Sequence, residues 1–243
     1  MVNNSLVQQQ PQNMTVTYKA GESEVTLSPE IVRQYLVSGN PNDVSYEETV
    51  MFLRLCQYQK LNPFLKEAFL IKYGRNNPAT LVTSVSVLEK RARRNADFQG
   101  FEAGIYVIDS NGNVQERNGE FYLPGERIIG GWCKVYVKGY EKPMFAAVTM
   151  NEYASNNGNW GKKPATMIRK VAKAHALREA FPEEFRGLYV PEEMGVETPS
   201  ETVNPQYMEQ MQEQPIEPPI NPEIMQEPIP AQMPVDDFVA AMM

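Results

Sequence analysis

The residues of this chain best able to do chemistry are cations. Seven of its 23 lysines and arginines, Lys162, Lys163, Arg169, Lys170, Lys173, Arg178 and Arg186, fall between Trp160 and Tyr189. Their chemistry would be the binding of an anion rather than bond breaking. Lys162 and Lys163 precede the first turn of a predicted helix, where unpaired backbone N–H groups also favour negative charge. Arg169 and Lys173 stand four residues apart and so share one side of that helix. A phosphate chain laid along this side would meet several cations and a helix N-terminus. The same pattern is also that of the solvated face of an amphipathic helix, and spacing alone does not separate the two readings.

The stretch that carries these cations reads as one helix, basic on one side and apolar on the other. Pro164 suits the first helical turn, Pro182 marks the stop and Gly187 lies beyond it. Met167, Val171, Ala174, Leu177 and Phe181 recur at helical spacing and should face a core. A second set of cations lies on a predicted strand. There Trp132, Lys134, Tyr136 and Lys138 share one face, and Cys133, Val135 and Val137 the other. Alternating aromatics and lysines would suit base stacking and backbone charge. They would equally suit an outer sheet face with a partly buried tryptophan. Lys90, Arg91, Arg93 and Arg94 cluster at the end of a predicted helix over 85–95, where cations also complement the helix dipole.

The remaining elements follow from local signals. VTYKA and EVTLS flank Gly21-Glu22-Ser23 as a small hairpin. Ser28-Pro29 should open a helix over about 29–37. Ser45 with Glu48 is a capping-box pattern before an amphipathic helix that stops ahead of Asn62-Pro63. Strands are predicted at 68–74, 80–85, 101–109, 113–122, 128–139 and 144–150, with turns at Asn111-Gly112 and Pro124-Gly125. This order predicts an α+β fold: a mostly antiparallel sheet with a long hairpin, packed on several helices. Residues 1–15, rich in Asn and Gln, read as disordered, and 16–194 as the folded domain. Residues 195–234 read as a disordered linker rich in Pro, Gln and Glu, and 235–243 as a short hydrophobic and acidic tip. PVDDFVAAMM suits a docking peptide on a tether, and also a frayed apolar end.

Charge divides the chain. Residues 191–243 hold 11 of the 30 acidic residues and no lysine or arginine, so a net charge of −7 conceals a basic body. A basic body with an acidic tail is common among proteins that handle nucleic acid, although such a tail also serves solubility. Cys56 and Cys133 match no metal or redox spacing, which suits a reducing cytoplasm. The N-terminus lacks a signal-peptide pattern, and no apolar run reaches the roughly 20 residues of a membrane span. No phosphate-binding glycine motif is present, so NTP hydrolysis and dinucleotide binding are unsupported. His175, the single histidine, reads as a helix contact. Glu102, Asp109, Glu116, Glu120 and Glu126 lie on hairpin strands and turns with no evident convergence, which leaves a carboxylate-metal nuclease as a minor alternative.

Three blocks carry a resemblance: LNPFLKEAFLIKYG (61–74), GGWCKVYVKG (130–139) with Pro143, and PATMIRKVAKAHALREAFPEEFRGLYVPEEM (164–194). In order and spacing they resemble the RecT/Redβ superfamily of phage single-strand annealing proteins, most of all the Redβ or recombination protein Bet branch. The likeness runs over about 25–194. It implies a protein that needs no ATP or other cofactor, with Mg²⁺ no more than a DNA counterion. Such a protein would bind single-stranded DNA and the annealed duplex in a positive groove, and assemble into rings or helical filaments. Its partners would be a phage exonuclease and the host single-stranded DNA-binding protein, in the bacterial cytoplasm. The resemblance places Lys66, Arg169 and Arg178 at basic positions of the family. Lys72, Arg75, Lys162, Lys163, Lys170 and Lys173 join them by charge and placement, and Lys134 by its strand face. The chain departs from the pattern at Ala165 and Thr166, where relatives can carry Lys or Arg, and in a tail too proline-rich for a folded C-terminal domain. A passive single-strand coating protein is the competing reading.

Overall fold

In the computed structural model, which describes residues 14–155 and 158–196, glycine and capping chemistry set the first elements. Gly21, at φ 66°, turns strand β1 (Val16–Ala20) into its antiparallel partner β2 (Ser23–Leu27). The Ser28 hydroxyl accepts the Ile31 N–H, and Pro29 opens helix α1 (Pro29–Ile31). The helix expected over about 29–37 is helical to Leu36, but not as one regular α-helix. Val32–Leu36 widens into a π-helical turn, and Val37–Gly39 becomes strand β3. The competing pull is tertiary: β3 pairs in parallel with β4 (Ala68–Lys72). Gly39, at φ 113°, comes so close that a Cβ would lie 2.1 Å from the Lys72 carbonyl oxygen.

Helix α2 (Tyr46–Gln59) begins with the full capping box that its sequence predicts. Ser45 Oγ accepts the Glu48 N–H at 3.2 Å, and the Glu48 carboxylate accepts the Ser45 N–H at 2.9 Å. Phe52, Leu53 and Cys56 bury its inner face. Lys60 ends the helix in the left-handed region ahead of Asn62-Pro63. A short 3₁₀ turn, Pro63–Leu65, leads into β4, its antiparallel neighbour β5 (Thr80–Thr83) and helix α3 (Val85–Ala92). Arg91 ties these parts together. Its guanidinium donates to the carbonyl and side-chain oxygens of Gln59 and to the Glu184 carbonyl, beyond the last helix.

Strands β6 (Phe98–Ile108), β7 (Val114–Asn118), β8 (Arg127–Val137) and β9 (Met144–Thr149) form an antiparallel sheet in the order β7-β6-β8-β9. Its inner face is Ala103, Ile105, Val107, Cys133, Val135, Val137, Ala146 and Val148, all buried, as strict alternation requires. The strand expected over 113–122 stops at Asn118. Gly119, at φ 76°, leaves the ladder and donates its N–H to the Ala103 carbonyl, so residues 119–126 form a loop. The fold is therefore α+β, with one parallel pair among otherwise antiparallel strands.

Two short helices, α4 (Met150–Tyr153) and α5 (Gly158–Lys162), precede α6 (Pro164–Ala180). The chain leaves helical geometry at Lys163 (φ −139°, ψ 56°), as a residue before proline tends to, and α6 opens at Pro164 as its sequence predicts. Helix α6 lies across β8, β9 and β6 and also touches α3. Met167, Val171, Ala174, Leu177 and Phe181 are buried as expected, but so are Ala165, Ile168, Ala172 and Ala176. The helix is thus enclosed rather than simply amphipathic. Gly131 sets its distance from the sheet, since a Cβ there would stand 2.6 Å from the Ile168 carbonyl oxygen.

After α6 the chain doubles back as a strap over 188–194. Thr83 N–H donates to the Tyr189 carbonyl at 2.8 Å, and Lys170 Nζ reaches Glu192 at 3.1 Å. Arg178 donates to the Leu188 carbonyl at 3.0 Å and to the Glu193 carboxylate, which also accepts the Val190 N–H at 3.0 Å. Burial alone would raise Glu193, yet the hydrogen bonds from His175 and Arg178 outweigh it and hold the carboxyl below its ordinary value of 4.5. Residues 1–13 and 197–243, on which the expected N-terminal arm, most of the linker and the docking tip fall, lie outside the described residues.

Two outcomes follow from this packing. Gly131→Ala should lose about 1–3 kcal/mol of stability in urea unfolding, because the helix backbone must lift from the sheet. A loss within error of zero would mean that Gly131 does not set that spacing. Glu193→Gln should lose about 2 kcal/mol at pH 7, the worth of hydrogen bonds to a charged group. A depressed carboxyl stabilises fully above its unfolded value and loses that contribution as pH falls through the lower folded value. The gap between wild type and Glu193→Gln should therefore close below about pH 4.5. A gap unchanged from pH 7 to pH 3 would contradict the assignment.

Candidate nucleic-acid interface

The cations expected to face a phosphate chain emerge from α6 at different depths. Lys173 is the correction. Only 7% of it is exposed, its ammonium binds Glu89 of α3, and it sits 5.5 Å from the centre of the Phe101 ring. The turn expected to place it outward instead faces α3, which covers that side of the helix. Arg169 is nearer solvent. Its Nε donates to the Ala103 carbonyl at 3.1 Å and its Nη1 to Glu120 at 3.1 Å. A guanidinium has five N–H donors, so these two bonds leave the fork with capacity for an anion. Glu120 also accepts from the Thr166 hydroxyl at 2.7 Å. Burial would raise its carboxyl, but Thr166 and Arg169 hold it low, so it stays anionic beside the helix. Lys170 pairs with Glu192, and Arg178 pairs with Glu193 and lies 4.9 Å from the Tyr189 ring.

The other expected cations divide into paired and unpaired groups. Lys72 is 5% exposed, and its ammonium donates to Glu48 at 2.8 and 3.0 Å. Glu48 also takes the Ala79 N–H at 2.7 Å, so it joins the start of α2 to β4 and to the segment before β5. Burial would raise this carboxyl, but Lys72 and the backbone N–H groups hold it below the ordinary value. Lys72 is therefore a buried structural charge in this conformation. Arg75 lies 3.5 Å from Asp43 and is largely exposed, a geometry worth little to stability. Lys134 stacks 4.5 Å from the Trp132 ring and pairs with Glu116 at 3.1 Å, which raises its ammonium above the ordinary lysine value. Lys66, Lys162 and Lys163 are exposed, and among the described residues none of them makes an ion pair.

Lys162 and Lys163 stand just before α6 and Arg169 within its second turn, and the 119–126 loop is tied to this end of the helix by Glu120, which bonds Thr166 and Arg169. Lys66 stands elsewhere, after the 3₁₀ turn that follows α2, in the left-handed region at φ 58°. Lys90, expected only as one of a helix-end cluster, pairs with Glu67 at 2.7 Å beside it, while Arg93 and Arg94 are exposed. What sequence reasoning missed is the acidic half of the site. Glu48, Glu89, Glu120, Glu192 and Glu193 each meet one of the expected cations, from positions 22 to 84 residues distant in most cases. Only the Pro-Glu-Glu run after GLYV carried a visible signal, two acids just beyond a basic helix.

The remaining reactive groups have other duties. His175 Nε2 lies 3.2 Å from the Tyr153 hydroxyl and 3.1 Å from Glu193, so it is a helix contact. Cys56 and Cys133 are buried free thiols pushed up to about 12, chiefly by burial, and neither is a nucleophile at neutral pH. Asp109 caps the β6–β7 turn through the Asn111 and Asn113 N–H groups, and Glu126 holds Arg117 and the Leu123 N–H. With Glu116 on Lys134 and Glu120 on Arg169, these acids are dispersed. Among the described residues no group of three His, Cys, Asp or Glu is placed to hold a metal ion, and no helix is long and apolar enough to cross a membrane.

Comparison with known proteins places this arrangement. An uncharacterized protein of Ureaplasma parvum serovar 3 is 28% identical over 156 residues. The match covers 62% of this chain and 62% of that protein, so the chain spans about three-fifths of the curated relative that it matches. The profile of the RecT family matches residues 23–205, nearly all of the described structure from β2 through the strap. The chain therefore belongs to the RecT family, which its LNPF, GGWCKVYVKG and PATM to PEEM blocks resemble.

Proposed function

We propose that this protein anneals complementary single strands of DNA without ATP, as a recombinase that holds both the single strand and the nascent duplex by their phosphates. The observation that carries this reading is family membership over 23–205, which takes in every expected cation. The division of charge supports it, because a basic body can screen two like-charged strands while base edges stay free to pair. Lys162 and Lys163 make the first contacts, together with the spare donors of Arg169, and Lys66 contributes from its own turn. Arg75, Lys134, Lys170 and Arg178 reach phosphate by exchanging a carboxylate for it. Lys72 and Lys173, enclosed and paired, act by holding the fold around the groove. The active form is a ring or helical filament of copies of this chain. Its protein partners are an exonuclease that exposes single strands and a single-strand-binding protein that must be displaced. No cofactor is required.

The direct test mixes two complementary oligonucleotides with the protein and no nucleotide, and follows duplex formation by fluorescence. Annealing well above the spontaneous rate is expected. Binding without acceleration would leave a passive coating protein, and Mg²⁺-dependent loss of the strands would indicate a nuclease. Lys162→Ala with Lys163→Ala should weaken single-strand binding. It should also reduce the slope of log K against log salt by about 1.4, close to 0.7 for each lost phosphate contact. An unchanged slope would remove these lysines from the interface.

A further inference from the structure

The loop between β7 and β8 exposes three consecutive large apolar residues. Phe121 is 72% exposed, Tyr122 40% and Leu123 47%. Nothing about the loop is slack. Gly119 N–H is bonded to the Ala103 carbonyl, Leu123 N–H to the Glu126 carboxylate at 2.8 Å, and Glu126 N–H back to the Leu123 carbonyl at 3.1 Å. Arg117 clamps Glu126, and Glu120 is fixed to Thr166 and Arg169 on α6. Among the described residues, Phe121 and Tyr122 make no ring contact and the Tyr122 hydroxyl makes no hydrogen bond. A hydrogen-bonded loop thus leaves Phe121 largely and Tyr122 partly in water, which costs hydrophobic free energy unless something covers them.

Its position indicates what does. Glu120, next to Phe121, is bonded to Thr166, one helical turn after the exposed and unpaired Lys163. Aromatic rings beside cations are the recognition set for single-stranded nucleic acid: stacking serves any base and the cations serve phosphate. Lysine is depleted at protein–protein interfaces, so the exposed, unpaired Lys162 and Lys163 just before the same helix favour nucleic acid over a protein surface. We propose that Phe121 and Tyr122 form a base-stacking tip that takes unstacked bases of a single strand whose phosphates lie on Lys162, Lys163 and Arg169. This rests on the DNA-binding reading above and adds to it a contact with the bases. The loop sorts single strands, whose bases can leave their neighbours, from finished duplex, whose bases cannot.

The experiment compares a fluorescent dT oligonucleotide with an abasic sugar–phosphate strand of equal length and charge. Wild type should prefer dT. Phe121→Ala with Tyr122→Ala should weaken dT binding roughly tenfold and leave abasic binding and the salt slope unchanged. Phe121→Trp should keep the preference, and its emission should quench on dT. An unchanged preference in the double variant overturns the proposal, as does a changed subunit number by light scattering with the preference intact, which would make the loop a contact between copies. Failure of wild type to bind either strand would instead overturn the DNA reading itself, and the stacking tip with it.

Discussion

Everything in this structure depends on one constraint: a helix that carries cations into an enclosed position must find a carboxylate for each. Helix α6 touches the sheet and α3, and the strap after it is bonded to Lys170 and Arg178. Unpaired, the Lys173 ammonium would be costly to bury, and breaking such a pair typically costs 3–5 kcal/mol. Glu89 of α3 answers Lys173, and the neighbouring Glu192 and Glu193 of the strap answer Lys170 and Arg178. The pairs therefore set the position of α3 and of the strap as much as the apolar contacts do. Lys72 and Glu48 repeat the device in the second sheet, where the capping carboxylate of α2 is also the counter-charge of β4.

The same constraint sorts the cations by job. Where a carboxylate is already in place and water is excluded, the charge is structural. Where the cation stands in solvent without one, as at Lys66, Lys162 and Lys163, its charge is uncommitted. Arg169 stands between, bonded to Glu120 and to a strand carbonyl, with donors to spare. Net charge alone would have counted all three kinds alike.

Much of the fold was legible because local chemistry agreed with tertiary demand. The Gly21 turn, the Ser28 and Ser45 caps, the alternation of Cys133, Val135 and Val137, and the proline-bounded α6 all stand where their residues predict. The failures have a common cause. Val37 closed a helical pattern but joined Ser38 and Gly39 in parallel pairing with β4, and residues 119–122 kept a strand pattern but left the ladder at Gly119. Neither partner is local. The site was legible in half: cations can be counted in a sequence, but whether Glu89 or Glu120 neutralises them is decided by packing between distant elements. The tail, with its prolines and acids, was read from composition alone.

Arg91 carries a consequence of a mechanical kind. Its three bonds cross from the end of α2, through α3, to the turn after α6. Burial favours its neutral form, yet the nearby Glu67 and Glu184 support the charge. A rivet at this point removes the freedom of the part built on β3, β4 and β5 to swing against the part built on β6 to β9. Force applied to one part is delivered to the other instead of being absorbed between them. If copies of this chain are strung along DNA, each would then act as a stiff link, and the twist of the assembly would be set at the joints between links.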